Sequence, residues 1–403
     1  GRMYDFERTL MQRFLKWLGS PPLRLVLWNG QTATGSAEPP VVTVRFTTRA
    51  ALLKTILNPQ RYFGEGYADG SVQIEGDLRE VVRMGYRASG ATMGLMDRLT
   101  VQLQKGRNTL AGSQKNIHHH YDIGNDFYRL WLDERMLYTC AYYAEPTMTL
   151  EQAQLAKLDH VCRKLQLQPG QQVVEAGCGW GALAMHMAEH FGVNVRAYNI
   201  STEQIAYARE EADRRNLADR VEFVQDDYRN IAGACDAFVS VGMLEHVGPN
   251  NYAALGQVID RTLKPGGRGL IHTIARHRPL RMNAWIDRHI FPGACPPTLR
   301  QMMDIFEPYH MVVLDVENLR LHYERTLVEW LNRYEANIDT VRSMFDERFV
   351  RMWRLYLVGS AEAFESGLMH LYKVVFSRYN DNSVPATREH LYQSDDRSKR
   401  AAM

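Results

Sequence analysis

The feature that most constrains this chain is a regular alternation of short apolar segments with helical stretches, which begins near residue 170. The segments that predict buried strands are QVVEA (172–176), VNVRAY (193–198), VEFV (221–224), DAFVSV (236–241) and RGLIHTI (268–274). Strands that alternate with helices in this way are typical of an open, mostly parallel sheet. The sequence therefore predicts an α/β fold for the larger, C-terminal part of the chain.

The regions on either side of this alternation show other patterns. Beyond residue 274 we predict a strand at 311–317, amphipathic helices at 324–340 and 346–376, and a disordered charged tail from 381. In the N-terminal part the sequence pattern predicts helices at 4–18 and 49–57, a strand at 41–46 and turns over 64–78. A polar linker at 104–116 would join this small α+β domain to the larger one.

Charge is distributed unevenly along the chain. The formal net charge is +2 over 403 residues, yet residues 1–120 carry 16 Lys and Arg against 9 Asp and Glu. This basic excess indicates an anionic partner, either phospholipid headgroups or nucleic acid, although an ordinary solvated surface can also carry it. In the predicted helix at 4–18, basic residues alternate with apolar ones. This pattern allows an interfacial membrane helix, but packing on its own domain is the favoured interpretation.

Two further observations bear on the cellular compartment. No apolar run reaches the roughly 18 to 20 residues that a membrane-spanning helix needs, and no signal peptide is recognisable. The 5 cysteines have no C-x-x-C or metal-type spacing, and an odd number favours a reducing compartment. We therefore predict a cytoplasmic protein that meets any membrane from outside.

A nucleotide site is indicated by VVEAGCGWGALA (173–184), a buried strand that runs through Gly177, Gly179 and Gly181 into a helix. Glycines at the carboxyl end of a strand let the backbone approach a nucleotide closely. Dinucleotide sites and S-adenosylmethionine sites share this feature, so the glycines alone do not separate the two ligands.

Three observations favour S-adenosylmethionine. Glu175 precedes the glycines, where a carboxylate can meet an amino-acid ammonium. The second strand ends at Asn199, with Gln204 five residues on, and lacks the acidic ribose ligand of an NAD site. Asp227 and Tyr228 follow the third strand, where they can hydrogen-bond to adenine and stack on it.

Three longer stretches identify a family: HYDIGNDFYRLWLDERMLYTCAYY (120–143), LEHVG (244–248) and HIFPGACPP (289–297). They strongly resemble the cyclopropane-fatty-acyl-phospholipid synthases and the related mycolate cyclopropane synthases. The resemblance extends from YFGEGYADGSVQIEGDL (62–78) to LYKVVFSR (371–378) and so covers most of the chain.

The resemblance implies a class I methyltransferase fold, Rossmann-like with a mostly parallel seven-stranded sheet, and a smaller α+β N-terminal domain that engages lipid. It implies domains at 1–115 and 116–380, followed by the tail at 381–403. The expected ligands are S-adenosylmethionine, a bound bicarbonate ion and an unsaturated phospholipid at the membrane surface. Nucleic acid is not an expected partner, and the family suggests a homodimer that associates peripherally with the membrane.

Residue by residue, the resemblance carries over two sets of contacts. The bicarbonate ligands fall on Cys140, Glu245, His272, the backbone of Ile274, and Tyr323. The S-adenosylmethionine contacts fall on Tyr138, Thr139, Gly177, Gly179, Gln204, Asp227 and Tyr228, with Val241 against the adenine. Two positions depart from the family pattern. Asn199-Ile200-Ser201 replaces a T-L-S segment, although Asn can still bind a ribose hydroxyl, and Glu175-Ala176 stands where Asp-Ile is common.

The reaction that the family implies explains these residue types. An alkene is a poor nucleophile, so its π bond must be held in line with the sulfonium methyl group. Attack gives a carbocation, which needs a dry pocket with aromatic faces. A proton must then leave the transferred methyl group, and a small anion held by side chains can take it without being alkylated as a carboxylate would be. Glu245 would orient that anion and receive the proton.

Several residues also have simpler interpretations. The aromatic candidates for the pocket are each more often ordinary core: Tyr121, Phe127, Tyr142, Tyr143 and Phe291. Cys140 could be a nucleophile, although this chemistry requires none, and His272 could be a satisfied core histidine. Glu245-His246 resembles a metal pair, but adjacent side chains diverge and no third ligand is near, so we predict no metal. His118-His119-His120 is more simply a polar face.

Three other functions remain open from the sequence. The same fold could direct the cation to lose a different proton and give a methylene- or methyl-branched chain. A small-molecule N- or O-methyltransferase would act on a soluble acceptor instead. A non-catalytic lipid-binding relative is disfavoured because Glu245, His272 and Tyr323 are intact.

Overall fold

The structure is a computed structural model, and it describes residues 2–92 and 123–392. The strands are β1 Leu23–Val26, β2 Thr32–Thr34, β3 Val42–Phe46, β4 Val72–Glu75, β5 Gln172–Ala176, β6 Asn194–Asn199, β7 Val221–Gln225, β8 Cys235–Val241, β9 Leu263–Ala275, β10 Met311–Asn318 and β11 His370–Arg378. The helices are α1 Arg2–Trp17, α2 Arg49–Leu57, α3 Pro59–Asp69, α4 Leu78–Thr92, α5 Asn125–Arg129, α6 Leu150–Leu165, α7 Ala182–Phe191, α8 Thr202–Arg214, α9 Tyr252–Thr262, α10 Ala284–His289, α11 Leu299–Phe306, α12 Arg320–Ala336, α13 Ile338–Met344 and α14 Glu347–Glu365.

These elements belong to two compact units. Over the described residues, the first contains 2–92, 123–132, 275–298 and 320–370. The second contains 133–274, 299–319 and 371–392. The predicted linker and the domain boundary at 115/116 lie outside the described residues.

The first unit contains a four-stranded sheet in the order β2-β1-β3-β4. Strands β1 and β3 are parallel, whereas β2 and β4 pair antiparallel with their neighbours. The amphipathic α1 buries Met11 and Leu15 in the core of this sheet, as the packing interpretation predicted, and exposes Phe6 and Trp17.

The second unit contains the predicted α/β sheet, with seven strands in the order β10-β11-β9-β8-β5-β6-β7. The consecutive pairs from β9 to β7 are parallel, and β10 pairs antiparallel with β11. Both faces are covered: Val173 packs in one apolar cluster and the next residue, Val174, in the other. Strands buried on both faces appear in a sequence as continuous apolar runs, which is why the five predicted strands are confirmed.

Two sequence predictions are wrong. The prediction of turns over 64–78 fails because α3 continues to Asp69. Gly64, inside this helix, lies against the indole of Trp285, which leaves no room for a Cβ atom. The predicted helix at 346–376 ends at Glu365, and residues 370–378 form strand β11. Strand β11 is buried on both faces and therefore lacks the alternation that distinguishes a strand from a buried helix.

The described part of the predicted charged tail, 381–392, makes contacts in the second unit. Asp381 accepts a hydrogen bond from buried Arg268, and Arg388 forms an ion pair with Asp315. Leu391 is buried. The rest of the predicted tail lies outside the described residues.

Candidate active site

The glycine-rich turn between β5 and α7 is fixed against the neighbouring strand. The N–H groups of Gly177 and Cys178 both donate to the carbonyl oxygen of Tyr198 at the end of β6, at 2.9 and 3.0 Å. Gly181 is required for packing, because a Cβ atom there would lie 2.6 Å from the ring of Phe223. The turn is therefore held by close backbone contacts that larger residues would prevent.

The same turn leaves an opening at Gly179. This residue has φ +54°, and a Cβ atom there would meet nothing within 4 Å. Glu175, on the strand that leads into this turn, is buried, and its Oε2 has no hydrogen-bond partner among the described residues. Burial raises the pKa of Glu175 to about 8, although the Lys157 charge and a hydrogen bond from the Ala184 backbone oppose the rise. An open backbone and an unpartnered buried carboxyl oxygen fit a ligand that carries an ammonium group.

Asn199 connects this turn to the start of α8. Its Nδ2 donates to the carbonyl oxygen of Gly179 at 3.1 Å and to Oε1 of Gln204 at 2.8 Å. Its Oδ1 accepts from the N–H of Ser201 at 3.2 Å. The residue that replaces the family's Thr therefore positions two of the predicted cofactor contacts through its own amide.

Asp227 and Tyr228 follow β7, as predicted, and both are buried. The Asp227 carboxylate accepts from the N–H of Arg229 and forms an ion pair with its guanidinium at 2.9 Å. That guanidinium lies over the Tyr228 ring, 4.8 Å from its centroid. The Tyr228 hydroxyl has no hydrogen-bond partner among the described residues, and burial raises its pKa to about 12.

Glu245 lies on a short turn after β8 and is held by β9. Its Oε1 accepts from the N–H of Ile274 at 3.1 Å, and its Oε2 accepts from the hydroxyl of Thr273 at 3.0 Å. Burial raises the pKa of Glu245 to about 7 and outweighs these hydrogen bonds, which favour the charged form. A carboxyl group with a pKa near neutrality can accept a proton at physiological pH and release it again.

His272 lies on β9 directly opposite Val241 of β8, in register. Its side chain is 1% exposed, and neither ring nitrogen has a hydrogen-bond partner among the described residues. Burial, followed by the charges of Lys373 and Lys157, holds its pKa well below the usual value, so the ring is neutral. A neutral imidazole offers one donor and one acceptor, and here both face a dry interior. His272 is therefore not a satisfied core histidine among these residues.

The segment that carries Tyr138, Thr139 and Cys140 lies in the same unit. Cys140 is fully buried, and its thiol donates to the carbonyl oxygen of Ala141 at 3.2 Å. The Thr139 hydroxyl accepts from Nζ of buried Lys157 at 2.5 Å. Tyr138, which precedes Thr139, is half-buried.

Several other predicted residues lie in the first unit or outside the described residues. Tyr323, on α12, is buried and stacks on Phe364 at 4.5 Å between ring centroids. Phe127 is fully buried in an aromatic cluster with Trp131 and Trp353, so within this unit it is ordinary core. Tyr121 and the run 118–120 lie outside the described residues.

Three side chains around the candidate site were not predicted from the sequence. Thr273 supports Glu245, and Lys157 and Lys373 are buried cations near His272. One signal was available: Gln154, Lys157 and Lys164 share a buried face of α6. Polar residues at helical spacing on a buried face indicate a polar site, not a solvated surface.

Two features are absent from the described residues. No helix there combines the length and the apolar character needed to cross a membrane. No group of three or more His, Cys, Asp or Glu side chains there could hold a metal ion.

The sheet order, the glycine turn and the groups around it define a class I S-adenosylmethionine-dependent methyltransferase. The sequence model of the mycolic acid cyclopropane synthetase family matches residues 109–374, and the chain belongs to that family. Residues 10–95 match a second family, which is described as a domain of unknown function.

Known proteins agree with this assignment. The chain is 42% identical to the cyclopropane-fatty-acyl-phospholipid synthase of Escherichia coli (strain K12) over 270 residues, 67% of this chain and 69% of that protein. It is 35% identical to a probable fatty acid methyltransferase of Pseudomonas putida over 384 residues, 92% of this chain and 96% of that one. The crystal structure of the mycolic acid cyclopropane synthase CmaA1 with S-adenosylhomocysteine (SAH) and CTAB aligns with a TM-score of 0.62 at 30% identity, over 65% of this chain and 97% of that chain. The protein is therefore a methyltransferase of the cyclopropane-fatty-acid-synthase type that uses S-adenosylmethionine.

Proposed function

We propose that this enzyme adds a methylene group across the cis double bond of an unsaturated acyl chain in a membrane phospholipid and so forms a cyclopropane ring. The observation that carries the proposal is buried His272, whose two ring nitrogens have no hydrogen-bond partner among the described residues. Glu245 is bound to the next two residues of the same strand, Thr273 and Ile274. These groups lie at the carboxyl ends of β8 and β9, where open α/β sheets bind their ligands. The name of the Escherichia coli relative supports the phospholipid as substrate.

When bound, S-adenosylmethionine supplies the methyl carbon, and a bicarbonate ion supplies the base that removes a proton from the transferred methyl group. His272 would donate its single ring N–H to an anion, because the neutral imidazole has no partner for it among the described residues. Glu245 would accept the proton from the anion, which its pKa of about 7 allows. Loss of the proton leaves an electron pair that closes the ring on the neighbouring cationic carbon.

The other proposed anion ligands have partners that an anion would share or replace. The Ile274 N–H donates to Glu245, and the Cys140 thiol donates to the Ala141 carbonyl oxygen. A bound anion would therefore lie beside Glu245 and take a share of the Ile274 N–H. The phenol of Tyr323 is proposed as the remaining ligand because of the family resemblance alone.

The cofactor contacts follow from the glycine turn. Gly177 and Gly179 would let the backbone approach the amino-acid part of the cofactor. Glu175 would accept a hydrogen bond from the ammonium group of that part. Tyr138 and Thr139 would complete that end, and Gln204, held by Asn199, would meet the ribose. Asp227, Tyr228 and Val241 would enclose the adenine.

Peripheral membrane binding in the cytoplasm is proposed for the N-terminal unit. Phe6 and Trp17 of α1 are 54% and 40% exposed. Arg8, Arg13 and Lys16 of the same helix are also exposed. Apolar and basic side chains on one helix suit an anionic lipid surface. A homodimer is proposed from the family resemblance alone, and light scattering of the purified chain would test it.

The test is incubation with S-adenosylmethionine that carries a trideuterated methyl group and with monounsaturated phospholipid vesicles. Cyclopropanation retains two of the three deuterium atoms and gives ring protons upfield of all alkene and branched-methyl signals. A methyl-branched product formed by loss of a proton from a chain carbon retains all three. A methylene-branched product carries two deuterium atoms on an alkene carbon, which deuterium NMR detects in the alkene region. Either result would replace the proposed reaction with the sister reaction, which the name of the Pseudomonas putida relative makes the second candidate. Turnover of a soluble acceptor without vesicles would overturn both.

A further inference from the structure

Lys373 is an unusual residue on the second strand from one edge of the seven-stranded sheet. It lies on β11, which is hydrogen-bonded between β10 and β9. Its side chain is 0% exposed, and its Nζ has no hydrogen-bond partner among the described residues. The ammonium lies over the ring of Tyr142, 5.4 Å from the centroid. Lysine is almost never fully buried unless it is paired.

Lys373 and His272 lie on the same face of the sheet. Side chains alternate along a strand, so Lys373 shares a face with Val375, and His272 shares a face with Leu270. Val375 and Leu270 both belong to the apolar cluster that α6 covers. Because β9 and β11 are neighbours, the lysine and the histidine lie on adjacent strands beneath one helix.

The carboxylates on this face are occupied by other cations. Lys164 of α6 pairs with Asp315 at 2.8 Å and with Glu317 at 2.9 Å. Asp315 also pairs with Arg388 at 2.7 Å. Glu317 is opposite Lys373 in the register of β10 and β11, yet no carboxylate of the described residues forms an ion pair with Lys373.

The second buried cation, Lys157, likewise forms no ion pair with a carboxylate in the part of the chain that the structure describes. Its Nζ donates to the neutral hydroxyl of Thr139. Two buried amino groups near His272 therefore have no carboxylate partner among the described residues, and a small anion could pair with them.

We propose that the Lys373 ammonium is a further direct ligand of the bicarbonate ion that His272 and Glu245 hold. This inference rests on the proposed function and adds a residue that the family resemblance does not supply. The Lys373 charge acts on both His272 and Cys140, two of the proposed ligands. Burial lowers the pKa of Lys373 to about 7, and a bound anion would raise it again and keep the ammonium charged. The lysine would hold the anion in place between turnovers.

The test measures bicarbonate binding to the full chain with SAH bound, for the wild type and two variants. Carbon-13 NMR titration gives the affinity, and thermal melting gives the stability with and without bicarbonate. Lys373→Gln removes the proposed ligand. Lys164→Gln is the matched control, because Lys164 is equally buried on the same face but already has carboxylate partners.

Lys373→Gln should weaken bicarbonate binding by about 10- to 100-fold, the usual effect of losing a hydrogen bond to a charged group. Its melting temperature without bicarbonate should equal or exceed that of the wild type, because an unpartnered buried ammonium is removed. Lys164→Gln should bind bicarbonate like the wild type but melt earlier, because it leaves two carboxylates without their buried partner.

Three results would overturn the inference. The first is equal bicarbonate affinity in the wild type and Lys373→Gln. The second is a fall in the melting temperature of Lys373→Gln as large as that of Lys164→Gln, which would make Lys373 structural. The third is a loss of SAH affinity in Lys373→Gln, which would assign the lysine to the cofactor carboxylate. If the wild type itself binds no bicarbonate, or binds only phosphate in a parallel titration, the proposed base fails along with this ligand. Cyclopropane formation in the labelling experiment would still stand.

Discussion

Replacing Glu245 with glutamine tests the proton-accepting role with the least change of shape. The glutamine carbonyl can still accept from the Ile274 N–H, and its amide can donate to the Thr273 hydroxyl. We therefore expect the affinity for SAH to remain within about twofold, since neither contact reaches the cofactor turn. Turnover should fall by about 10² to 10⁴, the usual contribution of a positioned acid or base.

The same substitution has a predicted effect on stability that depends on pH. The pKa of Glu245 is about 7 in the folded chain against a reference value of 4.5. Between these values the unfolded chain loses the proton while the folded chain keeps it, so stability falls as pH rises. At 1.36 kcal/mol per pKa unit, the carboxylate costs the wild type roughly 3 kcal/mol at pH 8 and about 1 kcal/mol at pH 5. Glutamine does not titrate, so the variant should gain stability over the wild type across this interval.

Denaturant unfolding of both proteins at pH 5, 6.5 and 8 measures this difference, and calorimetry with SAH measures affinity. The other titrating groups are common to both proteins and largely cancel. The reasoning would be refuted by a stability difference that does not change with pH, since this would mean that Glu245 is not a buried carboxyl with a raised pKa. A tenfold loss of SAH affinity would assign the residue to the cofactor site instead.

Three further predictions concern the cofactor turn and the membrane. Gly179→Ala should cost roughly 1 to 2 kcal/mol in unfolding because of its positive φ, and calorimetry should show SAH affinity at least tenfold weaker. Gly170→Ala is the control, because Gly170 also has a positive φ, +82°, and open space around it. This variant should lose stability without losing SAH affinity. Equal SAH affinities for Gly179→Ala and Gly170→Ala would count against the turn as the cofactor site. Asn199→Ala should weaken SAH binding about tenfold, since Gln204 and the turn lose a shared hydrogen bond; unchanged affinity would make Asn199 dispensable for positioning. Sedimentation with anionic vesicles should show binding that weakens as the Debye length falls from about 10 Å at 0.1 M salt to about 3 Å at 1 M; binding that ignores salt would contradict an electrostatic role for Arg8 and Arg13.

Much of the second unit could be predicted from sequence because its strands are short apolar runs between helices. The glycine turn after β5 and the polar groups after β6 and β7 follow directly from strand ends, where parallel sheets place their ligands. Strand β11 was missed because its run of buried residues has no period that separates strand from helix. Helix α3 was missed because Gly64 and Gly66 indicate turns, whereas in the structure they make room for Trp285 and Val72.

The candidate site was predictable in its residue types but not in its pairing. In the structure the Ile274 N–H donates to Glu245, a pairing that the sequence did not suggest, and its contact with an anion stays a prediction. The Asn199 amide connects Gly179 and Gln204, which the sequence also did not suggest, and its contact with the ribose stays a prediction. Such choices depend on distances of a few tenths of an ångström between side chains far apart in sequence. The lack of an ion-pair partner for Lys373 could not be predicted either, because the sequence of one strand does not show whether a carboxylate will lie beside its lysine.

A crystal structure of the full chain with SAH, at a bicarbonate concentration that saturates turnover, tests the central claim most directly. The account predicts a planar, three-oxygen anion within roughly 2.7 to 3.2 Å of a ring nitrogen of His272 and close to Glu245. Water alone at both nitrogens of His272 under those conditions, in an enzyme that still forms the ring, would contradict it.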